Sequence, residues 1–413
     1  MQSEEQHSST FAGLGISDVF MQVLEKYKFT VPTPIQHKAM PIALKGDDVI
    51  GIAQTGTGKT LAFGIPMLQR LFEGKAQGIG LVLLPTRELA MQVDETLGRI
   101  GGAMGLRTAV LIGGENMRKQ VTLLRRRPHV LVATPGRLLD LVEQGYVKLD
   151  KTGVLVLDEA DRMLDMGFAP QINRILKMLP PPAQRQTMLF SATMPDDIVV
   201  IANTHMRLPV RVEVAQQGTT AEMVEQEIYI VRKEDKINIL ADILRQYHGS
   251  VLIFSRTKHG ATKLCKHLME MGHKSAEIHA NKSLAQRIRA LEGFKRGQYR
   301  ILVATDIAAR GIDVTGIELV INFDLPDNSS DYVHRIGRTG RAGLAGRAIS
   351  LATPDQRQDI RDIERIIRKP LPVSKHAKLS VELPQIPVAQ RGVFGGRKRS
   401  YPRRPRFNRS RSS

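Results

Sequence analysis

Ala53-Gln54-Thr55-Gly56-Thr57-Gly58-Lys59-Thr60 stands between two apolar runs, residues 48–52 before it and residues 61–71 after it. The first run reads as a strand and the second as a helix, so the segment joins them through a glycine-rich loop. Such a loop cradles phosphate. Gly56 and Gly58 let the backbone curl until its N–H groups converge on phosphate oxygens, and the helix N-terminus adds the positive end of its dipole. Lys59 would reach the terminal phosphates of a nucleotide, and the Thr60 hydroxyl would hold Mg2+. Ala53 stands where the general pattern has its first glycine. A glycine-rich turn without a ligand is the alternative this loop leaves open.

A second segment narrows the choice. Residues 154–157 form a continuous apolar run, the mark of a strand buried on both faces of a parallel sheet. Asp158-Glu159-Ala160-Asp161 follows at its carboxyl end, where open α/β sheets bind ligands. Asp158 would take the metal, directly or through water, and Glu159 would orient and deprotonate an attacking water. Alone, an acidic turn reads as a solvated loop; behind a phosphate loop it points to nucleoside triphosphate hydrolysis. Short apolar runs separated by amphipathic stretches recur at residues 81–84, 108–112 and 130–133, and again at 251–255, 301–305 and 319–323. That alternation builds parallel sheets covered by helices. The spacing predicts an α/β chain of two parallel-sheet lobes, residues 1–214 and 224–370, joined by a polar linker at 215–223 and followed by a basic tail at 371–413.

Composition sets limits. At 413 residues the chain exceeds one comfortable core, and its 42% hydrophobic content suffices for two. No run approaches a membrane span, and the first ten residues are polar, without an apolar signal region. The single cysteine, Cys265, excludes an internal disulfide framework and falls in an apolar helical pattern, a packing position. A cytoplasmic protein without membrane attachment is the expectation. The net charge of +19 calls for a polyanionic partner, and nine of those charges lie in residues 391–413, where there is no acid. That stretch is too poor in aliphatic residues to fold. Phe394, Tyr401 and Phe407 interleave its arginines and could stack on bases, although a merely solubilising tail fits the same composition.

Residues 29–36, Phe-Thr-Val-Pro-Thr-Pro-Ile-Gln, resemble the Q motif of DEAD-box RNA helicases, with Phe11 at the family's upstream aromatic position. Further matches follow in the family's order: residues 85–90 (PTRELA), Gly113-Gly114, Thr134-Pro135-Gly136-Arg137, Ser191-Ala192-Thr193, residues 304–313 (ATDIAARGID) and residues 334–341 (HRIGRTGR). The resemblance spans residues 11–370 and is nearest the bacterial RhlE-type branch. It implies two RecA-like lobes with ATP in the cleft between them. Phe11, Phe29, Gln36, the loop Ala53 to Thr60, Gly311 and Asp313 would hold ATP, Gln36 reading adenine through its amide and Phe29 covering the ring. Thr60 and Asp158 would hold Mg2+, and Arg338 and Arg341 would reach across the cleft to the γ-phosphoryl group. Ser191, Thr193 and His334 would couple the parts. RNA would lie on Thr86, Arg87, Gly113, Gly114, Thr134, Pro135, Gly136, Arg137, Arg287, Thr305 and Asp306, held by its backbone, with ribosomal or RNA-decay complexes as possible settings.

Two residues depart from the pattern. Lys28 stands where the Q motif has glycine, and Leu284 where the second lobe has glutamine, three residues before Arg287. Two other functions compete: a DNA-translocating helicase, which Asp161 and the Q motif oppose, and a non-catalytic RNA clamp, which the presence of Lys59, Glu159 and the arginines opposes.

Overall fold

The computed structural model of the protein describes residues 10–54, 56–214, 224–309, 316–340 and 346–374. The expected linker, most of the tail, and the site residues Thr55, Gly311, Asp313 and Arg341 lie outside the described residues.

Residues 10–214 form a seven-stranded sheet of β1 (Val49–Ile52), β2 (Ile79–Leu83), β3 (Thr108–Leu111), β4 (Val130–Ala133), β5 (Thr152–Asp158), β6 (Gln186–Ser191) and β7 (Val210–Glu213), in the order β3-β4-β2-β5-β6-β1-β7. Residues 224–374 form a six-stranded sheet of β8 (Val224–Ile230), β9 (Val251–Phe254), β10 (Ser275–Ile278), β11 (Ile301–Ala304), β12 (Leu319–Asn322) and β13 (Gly346–Ala352), in the order β10-β11-β9-β12-β13-β8. Every strand pairing in both sheets is parallel. All strand carboxyl ends in a sheet therefore open on one edge, and loops that follow non-adjacent strands meet there.

The continuous apolar runs are split by the two-residue period of a strand. Leu81, Leu83, Leu155 and Leu157 enter one core of the first lobe, whereas Val82, Leu84, Val154 and Val156 enter the core on the opposite face. In the second lobe Val251 and Ile253 face one core and Leu252 and Phe254 the other. Strand β6 carries polar residues into the interior and pairs their donors: the Gln186 amide N–H groups donate to the carbonyls of Ala43 and Asp47, both at 2.8 Å, and the Thr187 N–H donates to Asp48 at 2.7 Å.

Residues 371–374, expected to begin the tail, belong to the second lobe instead. Leu371 is buried, the Ile228 N–H donates to the Pro372 carbonyl and the Ser374 N–H to the Ile228 carbonyl, extending the sheet beside β8. The lobes touch where the helix Leu284–Lys295 meets the helix Arg87–Gly102: Leu284 is buried in the core cluster of the first lobe, and Arg287 pairs with Glu88 at 2.9 Å. Among the described residues, no helix is long and apolar enough to cross a membrane.

Candidate functional site

Strand order sorts the motifs. The phosphate loop follows β1, the acidic segment ends β5, and Ser191-Ala192-Thr193 ends β6; these three strands are neighbours. Thr86-Arg87, Gly113-Gly114 and Thr134 to Arg137 follow β2, β3 and β4, the other half of the same sheet. One edge thus carries two adjoining surfaces, with different motifs on each.

On the β5-β6-β1 side, Gly56 and Gly58 have φ of 85° and 88°, values that glycine adopts without steric penalty. A Cβ on Gly58 would stand 2.4 Å from the Gln36 amide nitrogen, so this glycine is required for contact as well as for conformation. Gln36 is bound in two directions. Its Oε1 accepts from the Thr33 N–H at 2.9 Å, closing a capping box, and its Nε2 donates to the Gly58 carbonyl at 2.9 Å. The side chain thereby ties the Q motif to the phosphate loop. Phe29 is more than a third exposed, whereas Phe11 is 2% exposed and packed in the lobe's core cluster, where its ring supports the fold. Lys28 has φ of 61°, which explains why glycine suits that position.

The Lys59 ammonium is buried, donating to the Ala53 carbonyl at 3.1 Å and lying 3.8 Å from Asp158. Thr60 follows in the first turn of the helix Lys59–Phe72, and Thr57 Oγ donates to the Gln54 carbonyl at 2.7 Å, closing the loop. Burial pushes the Asp158 carboxyl up to about 6; Lys59 opposes the shift, and the neighbouring Glu159 and Asp161 charges reinforce it. Glu159 has φ of 51° and is buried, with Arg162 at 3.4 Å. A non-glycine residue in this left-handed region costs about 1–2 kcal/mol, and such strain concentrates at functional positions. Asp161 behaves oppositely to Asp158. Burial raises its pKa, but the hydrogen bond from Thr193 and the charge of Lys59 outweigh burial and leave it below the ordinary value. Thr193 donates to it from both N–H and hydroxyl, at 2.9 and 2.8 Å, and the Asp161 N–H donates to Ser191 Oγ at 3.2 Å. The acidic segment and the Ser191-Ala192-Thr193 segment are therefore one hydrogen-bonded unit.

Among the described residues no group of three or more histidine, cysteine or carboxylate side chains is arranged to hold a metal. The buried carboxyl of Asp158 and the hydroxyl of Thr60 still fit Mg2+, which takes few protein ligands and completes its shell with water and phosphate. An ionised Asp158 among two further carboxylates gains from a cation there.

On the β3-β4-β2 side, the Arg87 guanidinium packs on the Gly113-Gly114 turn; Gly114 has φ of 77°, and a Cβ there would collide with Arg87 Nη1. Thr86 caps its helix, its Oγ accepting from the Leu89 N–H at 3.3 Å. Arg137 donates to the Glu115 carbonyl at 3.3 Å, joining the loop after β3 to the helix after β4.

In the second lobe, the sequence reading passed over Arg335, which is the centre of its site. Arg335 is 1% exposed, forks onto both oxygens of Asp306 at 2.6 and 2.7 Å, and also donates to Asn322 and to the Asp324 carbonyl at 3.1 and 2.6 Å. Its guanidinium lies 5.0 Å from the Phe254 ring centre. Arg338 is buried beside it, and both line a small recess with Asp306, Asp331 and His334. His334 Nδ1 stands 3.7 Å from Asp331, beyond hydrogen-bond range. Thr305 follows β11 and precedes Asp306. Arg287 lies against Glu88 at the lobe contact, beside Arg87. The only sequence signal for Arg335 was its position within the residue 334–341 motif; Glu88 likewise sits unmarked beside Arg87.

Residues 33–200 match the DEAD/DEAH box helicase family, and residues 235–343 match the helicase conserved C-terminal domain. The chain is 43% identical over 366 residues to the ATP-dependent rRNA helicase RRP3 of Debaryomyces hansenii, covering 88% of this chain and 76% of that protein. It is 43% identical over 362 residues to the DEAD-box ATP-dependent RNA helicase CshA of Geobacillus kaustophilus, covering 87% and 77%. The solved structure of S. cerevisiae Dbp5 bound to RNA and ADP BeF3 is similar with a TM-score of 0.77 and 30% identity, covering 89% of this chain and 96% of that one.

Proposed function

The chain belongs to the DEAD-box family of ATP-dependent RNA helicases, and from that premise we propose how its residues work. RNA-stimulated hydrolysis of ATP to ADP and phosphate drives closure of the lobes and local separation of short RNA duplexes, or remodelling of RNA–protein complexes. The observation that carries this reading is the division of the first lobe's sheet edge, with nucleotide motifs after β1, β5 and β6 and RNA motifs after β2, β3 and β4. Closure can then tighten both ligands together.

In this mechanism the loop N–H groups and Lys59 bind the β- and γ-phosphates, and Lys59 exchanges its Ala53 contact for theirs. Gln36 retains one free N–H and one lone pair for the adenine edge. Mg2+, held by Thr60 and Asp158, would neutralise phosphate charge. Glu159 orients and deprotonates the attacking water, while Arg338, with Arg341 and Asp313 outside the described residues, meets the nucleotide from the second lobe. The Asp161–Thr193 unit carries movement at the γ-phosphate to the end of β6, and His334 receives it across the cleft. Arg87, the Gly113-Gly114 turn, Thr134 to Arg137, Thr305 and Arg287 line the RNA backbone. Asp306 would repel phosphate, so its part is to fix Arg335 or accept from a 2′-hydroxyl. The names of the relatives support ribosomal RNA as a substrate class, and the likeness to a bacterial protein supports the bacterial assignment. A cytoplasmic location and a tail that tethers RNA complete the proposal.

The test is ATP turnover with RNA and with duplex DNA of equal length at matched salt. Strong stimulation by RNA alone is expected, and equal stimulation by both would defeat the reading. Glu159→Gln should bind ATP normally, lose about 10²–10⁴ in turnover and remain closed on RNA. Lys59→Ala should lose nucleotide binding as well.

A further inference from the structure

A pocket of about 530 Å³ opens in the second lobe between the helix Lys258–Glu270 and the turn leading into the helix Leu284–Lys295. His259, Thr262, Lys263 and Lys266 line it from one face of the first helix, at the spacing that stacks side chains over successive turns. Asn281 and Lys282 line the opposite wall. Among the described residues, no carboxylate lines the pocket. Glu277 stands behind the wall and accepts from Lys282 at 2.5 Å and from His279 at 2.9 Å, which fixes both groups. Glu270 is 3.9 Å from Lys266 at the rim, with both side chains more than half exposed, a pairing that leaves Lys266 nearly free in water. Lys263 makes no ion pair among the described residues. The pocket's lining is therefore cationic and rich in donors, suited to an anion with several oxygens.

Its place in the sheet identifies which anion. The pocket lies at the carboxyl end of β10, the edge strand, and Ile278 of β10 is in register with Ala304 of β11. His279 thus follows β10 directly beside Thr305, whose N–H donates to the Ile278 carbonyl at 3.3 Å. Thr305 belongs to the proposed RNA track, and Arg287, also on that track, extends from the helix that follows the opposite wall. The lysines continue the same edge outward.

We propose that this pocket binds a backbone phosphate of the RNA strand beyond the segment held by Thr305 and Arg287, with Lys263, Lys266 and Asn281 as its donors. The contact would be to a phosphodiester, blind to base identity, and would lengthen the footprint on the second lobe. The proposal rests on the RNA reading above.

The experiment compares the full chain with Lys263→Gln/Lys266→Gln and with Lys263→Arg/Lys266→Arg, all side chains at issue being exposed. Binding of a fluorescent single-stranded RNA is measured across a salt series with a non-hydrolysable ATP analogue, beside RNA-stimulated ATP turnover. The glutamine pair should weaken binding about five- to tenfold and lower the log–log salt slope by about 1.4, the value for two lost single-strand phosphate contacts. The RNA concentration for half-maximal ATPase should rise by the same factor, and the arginine pair should restore both. Unchanged affinity and slope, with the wild-type ATPase still stimulated by RNA, overturns the pocket alone. A wild-type ATPase that RNA does not stimulate overturns the underlying reading. Inorganic phosphate is titrated separately into the RNA-free chain by calorimetry. Binding that the glutamine pair abolishes, with the RNA salt slope unmoved, would assign the pocket to free phosphate and overturn the RNA proposal.

Discussion

The acidic cluster of the first lobe and the arginine cluster of the second both place buried charge at strand ends, but they compensate it differently. Asp158, Glu159 and Asp161 share Lys59 and Arg162, whose closest approaches to Asp158 and Glu159 are 3.8 and 3.4 Å. Arg335 meets Asp306 through two bonds of 2.6 and 2.7 Å and gives its Nη1 to Asn322 and the Asp324 carbonyl, placing four of its five donors. The second arrangement is satisfied in itself, which marks a scaffold. The first holds excess negative charge in low dielectric, the arrangement on which the proposed mechanism draws for a cation and a reacting group.

The comparison breaks most readily at Arg335. Arg335→Ala leaves the buried Asn322 and the partly buried Asp306 without their partner and should cost about 2–3 kcal/mol, lowering the melting transition of the second lobe by roughly 5–10 °C in calorimetry of the full chain. A shift as small as that of a surface substitution would mean that the cluster is no scaffold.

Asp158→Asn should do the reverse. Its carboxyl, with an ordinary pKa of 3.8, is raised to about 6 in the fold, so the folded state binds the extra proton. Stability from this group is present below the unfolded value and is lost as pH rises towards 6. Without nucleotide or Mg2+, Asp158→Asn should match the wild type near pH 4 and exceed it by up to about 3 kcal/mol above pH 6–7. Melting curves across that range check it; a constant difference at all pH values would remove the charge explanation.

The contact between the two regions gives a smaller effect. Leu284→Gln restores the residue usual in the family and removes apolar burial against the first lobe. It should weaken docking of the lobes by about 1–2 kcal/mol, seen as a broader interlobe distance distribution by fluorescence transfer without ligands. An unchanged distribution would leave Arg287–Glu88 as the determinant.

The smallest effect separates strain at the site from strain beside it. Glu159 and Lys28 have φ of 51° and 61°. Lys28→Gly should stabilise the chain by about 0.5–1 kcal/mol, with ATP turnover unchanged, since the lysine side chain makes no bond that the left-handed turn requires. A loss of stability would show that the side chain itself is needed.

The sequence alone determined the family, the two parallel-sheet lobes and the identity of the motif residues, because each motif is contiguous and most central strands (β1, β2, β4, β5, β9, β11 and β12) are apolar runs. Strands β6, β7, β8, β10 and β13 escaped it. Residues 186–191 (QTMLFS) and 346–352 (GRAISLA) interrupt their apolar residues with polar ones although both strands are central, while residues 210–213 (VRVE), 224–230 (VEQEIYI) and 275–278 (SAEI) mix polar and apolar side chains in the outer strands of their sheets. Residues 371–374 were assigned to the tail because the resemblance ends at residue 370, and their pairing is with a strand distant in sequence. Only the tertiary structure decided the division of roles within a motif. Nothing in residues 334–341 marks Arg335 as the anchor and Arg338 as its neighbour in the recess, because that depends on which guanidinium meets Asp306 across the sheet end. The strand order that sets the segments after β1, β5 and β6 beside one another and those after β2, β3 and β4 beside them is likewise a property of the assembled sheet. Chain order lists the motifs, but parallel pairing between non-consecutive strands determines which of them share an edge.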